Sequence, residues 1–217
     1  MSYSNITINN SNITLVSFPT SVGLRSFDMT ISDAVSTVNS PYTGQTQAQL
    51  WPGGDMWSGT ATLAPLQQAA ADDWISFLMQ LRGPAYAFQM GDPLKQTPRG
   101  TPSGNAIVDN TQNNGNPAMS TQLGTTGWTA STANLLMRGD NIQVGYRLYR
   151  VTDTVASDSN GNAVVNIWPS LREQPVNSAN VITENTQGLW RLSTTTRTYS
   201  FDTTQLTRIS YKFQEYR

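Results

Sequence analysis

WPGGDMWSGTATLAPLQQAAADDWISFLMQLRGPAYAFQMGDP, residues 51–93, carries strand, helix and strand signals in immediate succession. Pro52-Gly53-Gly54-Asp55 is a turn former between Trp51 and Met56-Trp57, so 45–63 reads as two strands joined as a hairpin. In the second strand Trp57, Gly59, Ala61 and Leu63 share one face. The period then changes from two to nearly four: Leu66, Ala70, Trp74, Phe77, Leu78 and Leu81 form one apolar stripe, with Gln67, Gln68, Asp72, Asp73 and Gln80 elsewhere. This predicts an amphipathic helix over 65–82, with Pro65 at its start and Gly83-Pro84 allowing a left-handed exit while forbidding continuation. Tyr86, Phe88 and Met90 then alternate in a short strand that Gly91-Asp92-Pro93 ends. A βαβ-like unit with the helix stripe packed on a sheet follows.

Upstream, the polar and β-branched first 25 residues suit an arm or edge strand, and Phe27, Met29 and Ile31 form one face of the first clear strand. Downstream, a Pro/Gly linker at 95–104 and an Asn-rich run at 110–116 mark a boundary. Residues 105–195 read as a small all-β domain. Its signals are the Gly145-Tyr146 turn, the Asp158-Ser159-Asn160-Gly161 turn, alternating Ala163, Val165 and Ile167, and short strands near Val181 and Leu189. Ile209, Tyr211 and Phe213 alternate with polar residues in a closing strand. A strand with one apolar face needs a sheet to join, so 196–217 is expected to return to 1–94, making 105–195 an insertion. The fold class is mainly β with one main α-helix.

Composition excludes several chemistries. The 217 residues contain no Cys and no His, which removes disulfides, thiolate nucleophiles, Cys/His zinc sites and imidazole catalysis. Only 12% of residues are charged and the net charge is −1, so there is no clustered cation excess for nucleic acid, and charge repulsion keeping copies apart is weak. The N-terminus lacks the basic and apolar regions of a signal peptide, and no apolar run approaches the roughly 20 residues of a membrane span. Synthesis in a cytoplasm, without membrane insertion, is expected.

No catalytic constellation stands out, no cofactor is implied, and the chain is not expected to be an enzyme. Asp72 and Asp73 are helix neighbours pointing about 100° apart, which suits a solvated face better than paired acid–base work. Glu occurs only at 173, 184 and 215, too sparse for a glycosidase pair. Asp158-Ser159-Asn160-Gly161-Asn162 starts like a calcium loop but lacks the bidentate Glu, so a hairpin turn is the better reading. Arg138-Gly139-Asp140 matches an integrin tripeptide and reads as a strand-entry turn. Asn5-Ile6-Thr7, Asn9-Asn10-Ser11 and Asn12-Ile13-Thr14 fit the glycan acceptor pattern, but without export they are not expected to be modified. Trp128, Tyr146, Trp168 and Trp190 could form an aromatic sugar platform, which must be weighed against packing.

Ser40-Pro41-Tyr42-Thr43-Gly44-Gln45, the helix ending Trp74-Ile75-Ser76-Phe77-Leu78, Leu81-Arg82-Gly83, Phe88-Gln89-Met90-Gly91-Asp92-Pro93 and Ile209-Ser210-Tyr211-Lys212-Phe213 together resemble the distal tail and minor tail proteins of long-tailed, siphovirus-like bacteriophages. The resemblance covers about half the chain and implies a tail-tube-like β-barrel or sandwich with one helix. It implies a virion protein at the tail tip, made in the host bacterium and forming a ring, commonly a hexamer. The ring would join the tail tube protein to the hub, tip and receptor-binding fibre proteins. Trp57, Thr60, Thr62, Ile209, Tyr211 and Phe213, on the strands at 57–63 and 209–216, are the expected ring contacts. The alternative is a carbohydrate-binding accessory module of the tail tip.

Overall fold

A computed structural model of the chain describes residues 3–8, 10–20, 24–201 and 205–217. The fold is mainly β with a single α-helix, as the patterning predicts, and the chain divides into two compact units. The first comprises Met1–Ile31, Trp57–Met90 and Gln187–Arg217. The second comprises Ser32–Met56 and Gly91–Thr186.

In the first unit β1 (Tyr3–Ile8) and β2 (Ser11–Val16) form a hairpin, with Asn10 at a positive φ of 62° in its turn. β3 (Leu24–Ser32) leads into β4 (Val35–Asn39) and β5 (Thr46–Leu50), which are assigned to the second unit, and β6 (Met56–Leu63) returns to the first. After α1 (Gln68–Gln80) comes β7 (Ala87–Met90). The chain leaves for the second unit through β8 (Gly104–Val108), β9 (Gln122–Trp128), β10 (Asn141–Val144), β11 (Arg147–Val151), β12 (Ala163–Trp168) and β13 (Val181–Ile182). It comes back as β14 (Gly188–Leu192), β15 (Tyr199–Phe201) and β16 (Thr207–Glu215).

The first unit's sheet runs β1-β2-β7-β14-β16-β6-β3, with β15 pairing β16 off this path. The remote closing strand does join the early one: Tyr211 pairs with Ala61 and Phe213 with Gly59. Alternation explains the register, because Trp57, Gly59, Ala61 and Leu63 on β6 and Ile209, Tyr211 and Phe213 on β16 are all buried on the same apolar side. α1 lays Ala71, Trp74, Phe77 and Leu78 on that side. Trp74 stacks on Tyr211 at 6.0 Å between centroids, Phe77 meets Phe88 edge-on at 5.6 Å, and Trp190 meets Phe213 at 5.0 Å. Each such buried side chain is worth about 1.5–3 kcal/mol of transfer free energy, so this aromatic cluster is a large part of the unit's apolar core. Burial also pushes the Tyr211 phenol well above its ordinary range, and its hydroxyl donates to Met90 Sδ.

Four expectations need correction. The turn at Pro52–Asp55 does not fold β5 onto β6; β5 pairs with β4, from Val35↔Leu50 to Asn39↔Thr46. The turn instead closes the base of that hairpin. Trp51 N donates to Ala34 O, and Gly54 lies so near Ala34 that an added Cβ would sit 2.2 Å from the Ala34 methyl. Second, the helix begins at Gln68 rather than Pro65, because Leu66 is held in a β-bridge to Thr207, N–H to carbonyl both ways at 2.9 Å. Its exit is left-handed as predicted, with Arg82 and Gly83 at φ 48° and 70°. Third, the unit around it is not a parallel βαβ: β14 and β16 lie between β6 and β7, and three antiparallel pairings in succession make β7 antiparallel to β6. Fourth, the boundaries move. β14 belongs to the first unit, so the return comes at 187 and not 196; Ser32–Met56 goes with the second; and 95–104 is not a free linker, since Arg99 N and Gly100 N donate to the buried Asp140 carboxylate.

The second unit is an antiparallel six-stranded sheet, β13-β10-β11-β12-β9-β8. Its two outer strands approach each other through the bridge Ile107↔Asn180 and the bond from Val108 N to Ala179 O at 2.8 Å, which nearly closes a barrel. Leu123, Ile142, Tyr149, Val151, Val165 and Ile167 fill its interior. β4 and β5 are joined to this unit as a separate two-stranded ribbon.

Candidate functional site

The residues singled out for chemistry have structural employment. Asp140 is buried and accepts from Arg99 N, Gly100 N and Met137 N at 2.8–3.0 Å, so the Arg-Gly-Asp turn is a backbone clamp. Asp158 accepts from the backbone N–H groups of Asn160 and Asn162, both at 2.8 Å. Those bonds, the Asn162 one foremost, hold its carboxyl below the usual carboxylate value, as expected of a hairpin turn. Asp72 and Asp73 are exposed on α1. Glu173 grips Arg147 in a two-pronged ion pair at 3.0 and 3.2 Å, Glu215 is buried and accepts from Trp57 N, and Glu184 is exposed. Among the described residues no group of three or more His, Cys, Asp or Glu is placed to hold a metal, and no helix is long and apolar enough to cross a membrane. Of the acceptor-pattern asparagines, Asn5 and Asn12 lie on the β1–β2 hairpin with side chains bonded to Thr14 and Thr7; Asn9 lies outside the described residues.

The four-ring sugar platform does not form. Trp128 is buried with its Nε1 donating to Thr125 Oγ1, and Trp190 is buried in the other unit with its Nε1 donating to Met90 O. Tyr146 and Trp168 are half-buried, and Trp168 Nε1 donates to Asp33.

Most of the residues expected as ring contacts lie in the interior of their own sheet. β6 lies between β16 and β3, and β16 lies between β14 and β6, so neither offers an open edge along its length. Trp57, Ile209, Tyr211 and Phe213 are buried core, while Thr60 and Thr62 are half-buried and Thr62 Oγ1 bonds Ser210 Oγ. The alternation that made these strands conspicuous reports their inward face. Among the described residues, the strands of this sheet that pair on one side only are β1, β3 and β15.

A surface that the apolar pattern does not reveal is the β4–β5 ribbon. Every residue of both strands is exposed. Val35 (47%), Val38 (66%), Tyr42 (96%), Leu50 (59%) and Trp51 (59%) present large apolar groups to solvent. Its tip is ordered by Ser40 N donating to Gln45 O and Gly44 N to Ser40 O, with Gly44 at φ 67°. Its root is anchored. Asp33 accepts from Trp168, and Asp55 accepts from Ser170 Oγ at 2.7 Å and pairs with Arg172, whose guanidinium also donates to Gly53 O and Asp55 O. The Arg172 side chain is 6% exposed and that of Asp55 15%, so this pair is shielded from screening. The signal was present in the charges: no charged residue stands between Asp33 and Asp55, and those two carboxylates are the anchors.

An isolated two-stranded ribbon is marginal in water, and natural sheet edges are ordinarily protected by charge, proline or bulges. This ribbon has no charge and is held rigidly at its base. Such a surface suits burial against another protein chain. No protein-family model matches the sequence, and no curated protein matches it.

Proposed function

We propose that this chain is a structural, non-catalytic subunit of a bacteriophage tail. Copies form a ring at the distal end that joins the tail tube to the tip hub and the receptor-binding fibres. The observation that carries the reading is the anchored, charge-free ribbon of Val35–Leu50 with both strands uncovered, which gives each copy an arm to lay on a neighbour. Two further features support it: the one-sided strands β1 and β3 at opposite ends of the first unit's sheet, and a chain of which only 12% of the residues are charged. Unpaired backbone edges and uncharged polar faces favour close repeating contacts over a dispersed monomer. The β domain of the second unit then serves as the attachment platform of the arm, through Trp168, Ser170 and Arg172.

Native mass measurement over a range of concentrations, with electron microscopy of the same samples, tests this. Closed rings are expected, either alone or on added tail tubes. A chain that stays monomeric at high concentration both with and without tail tubes would sink the reading. Excising the arm from Ala34 to Gly54 is expected to abolish ring formation while the barrel still unfolds cooperatively.

A further inference from the structure

We propose that the cleft between the C-terminal half of α1 and the segment entering β15, lined by Ile75, Leu78, Met79, Arg197, Thr198 and Tyr199, is the seat for the arm of a second copy of this chain. The proposal rests on the ring reading and names the surface that receives the arm. The cleft has a volume of about 130 Å³, below the roughly 300–1,000 Å³ of small-molecule sites, so it has room for a side chain rather than a free ligand. Around it stand exposed apolar groups, Met79 (63%), Tyr199 (51%) and Phe201 (78%). Of the other large apolar residues exposed outside the arm, Tyr3 and Ile31 lie singly on β1 and β3 of the first unit, and Leu94, Met119 and Val176 belong to separate stretches of the second.

Three observations select the arm as occupant. First, among the described residues β15 pairs with β16 alone, which leaves its other edge for an extended segment to add to. Second, Arg197 lines the cleft, and its Nη1, 3.7 Å from where a Cβ on Gly83 would sit, has no hydrogen-bond acceptor among the described residues. A guanidinium nitrogen without an acceptor is costly, and by turning outward on docking Arg197 meets neutral acceptors on the arm, in Gln45, Gln47, Gln49 and backbone carbonyls, without a competing cation. Third, the shapes are reciprocal. The arm has a concavity of about 340 Å³ lined by Val38, Ser40, Gln45, Thr46 and Gln47, into which a projecting ring such as Phe201 can enter. The segment Ser32–Met56 is also of about the 20–30 residues that form one side of a standard interface. Because arm and cleft are different surfaces of one chain, the contact is head-to-tail and propagates around a ring.

The absence of cysteine makes the test clean. Single variants V35C, V38C and Y42C on the arm are each mixed with Y199C under mild oxidation, with D72C on an exposed part of α1 as the control. At concentrations where oligomers form, at least one arm variant is expected to cross-link to Y199C at least tenfold more than to D72C. In parallel, Tyr199→Asp, at a half-exposed position, is expected to raise the concentration needed for assembly at least tenfold without moving the melting temperature. If rings form but the arm variants cross-link to Y199C no better than to D72C, the seat is elsewhere and the ring reading survives. Cross-linking of the arm variants chiefly with themselves overturns the seat in favour of an arm-to-arm contact. A chain that never assembles, on tail tubes or off them, removes both.

Discussion

Gly59 lies where β6 passes close to β3 and β16, and its lack of a side chain is a packing requirement. A Cβ there would lie 2.4 Å from the Asp28 carbonyl and 2.6 Å from Phe213 Cζ, and the backbone cannot give way cheaply. Gly59→Ala is therefore expected to lower stability by about 1–3 kcal/mol, the usual cost of overpacking, read as a lower urea midpoint. Asp140→Ala acts by the opposite route. It strips the acceptor from three backbone N–H groups in a buried setting, and a loss of about 3 kcal/mol or more is expected in the same measurement. Asp109 and Asp158 supply a pH dependence. Hydrogen bonds from Thr111 to the first and chiefly from Asn162 to the second hold both carboxyls below their ordinary 3.8. A folded pKa below the unfolded one gives stability that is full above about 3.8 and is lost as pH falls through the folded value. Stability should thus decline below pH 4, and Asp158→Asn should flatten that decline; an unchanged slope in acid would show that the Asp158 turn contributes nothing.

At the scale of elements, the arm and its root are separable. Asp55 holds the ribbon through Ser170 and Arg172, and its removal leaves a largely buried guanidinium without its carboxylate. Breaking one side of such a pair costs about 3–5 kcal/mol, so Asp55→Ala should destabilise the second unit and loosen the arm, seen as faster amide exchange at 35–50. Arg172→Met, which replaces the cation with an apolar stem, should recover part of that loss when combined with Asp55→Ala. The helix shows the same separation of roles. Its Trp74 and Phe77 are committed to the aromatic core, while Met79 on its outer side is exposed and is the part of the helix that the proposed arm contact would use.

For the molecule as a whole, the low charge sets the salt dependence expected of the proposed assembly. An interface made by a charge-free ribbon and apolar side chains has little Coulomb attraction to screen, so assembly should persist when salt is raised from roughly 0.05 to 0.5 M. Sedimentation at the two salt levels checks this. Dissociation at high salt would show that ion pairs, and not the arm, hold the copies together. Formation of oligomers that strengthen modestly at higher salt is the expected result, as burial of apolar surface is favoured there.

What the sequence determined by itself was whatever local periodicity can encode. The change of period after Leu63 located the helix, the Gly83-Pro84 stop ended it, and the alternation in Ile209, Tyr211 and Phe213 revealed a strand with one buried face. Missing Cys and His likewise settled which side-chain chemistries are unavailable without any coordinates. Pairing was beyond its reach, because alternation states which face is buried and not which strand lies beside it. Only the tertiary structure set β14 and β16 between β6 and β7, turned the conspicuous apolar strands into interior ones, and left the charge-free Val35–Leu50 ribbon uncovered. The physical reason is that hydrogen-bonded neighbours are chosen by contacts distant along the chain, whereas hydrophobic pattern is a property of a few adjacent residues.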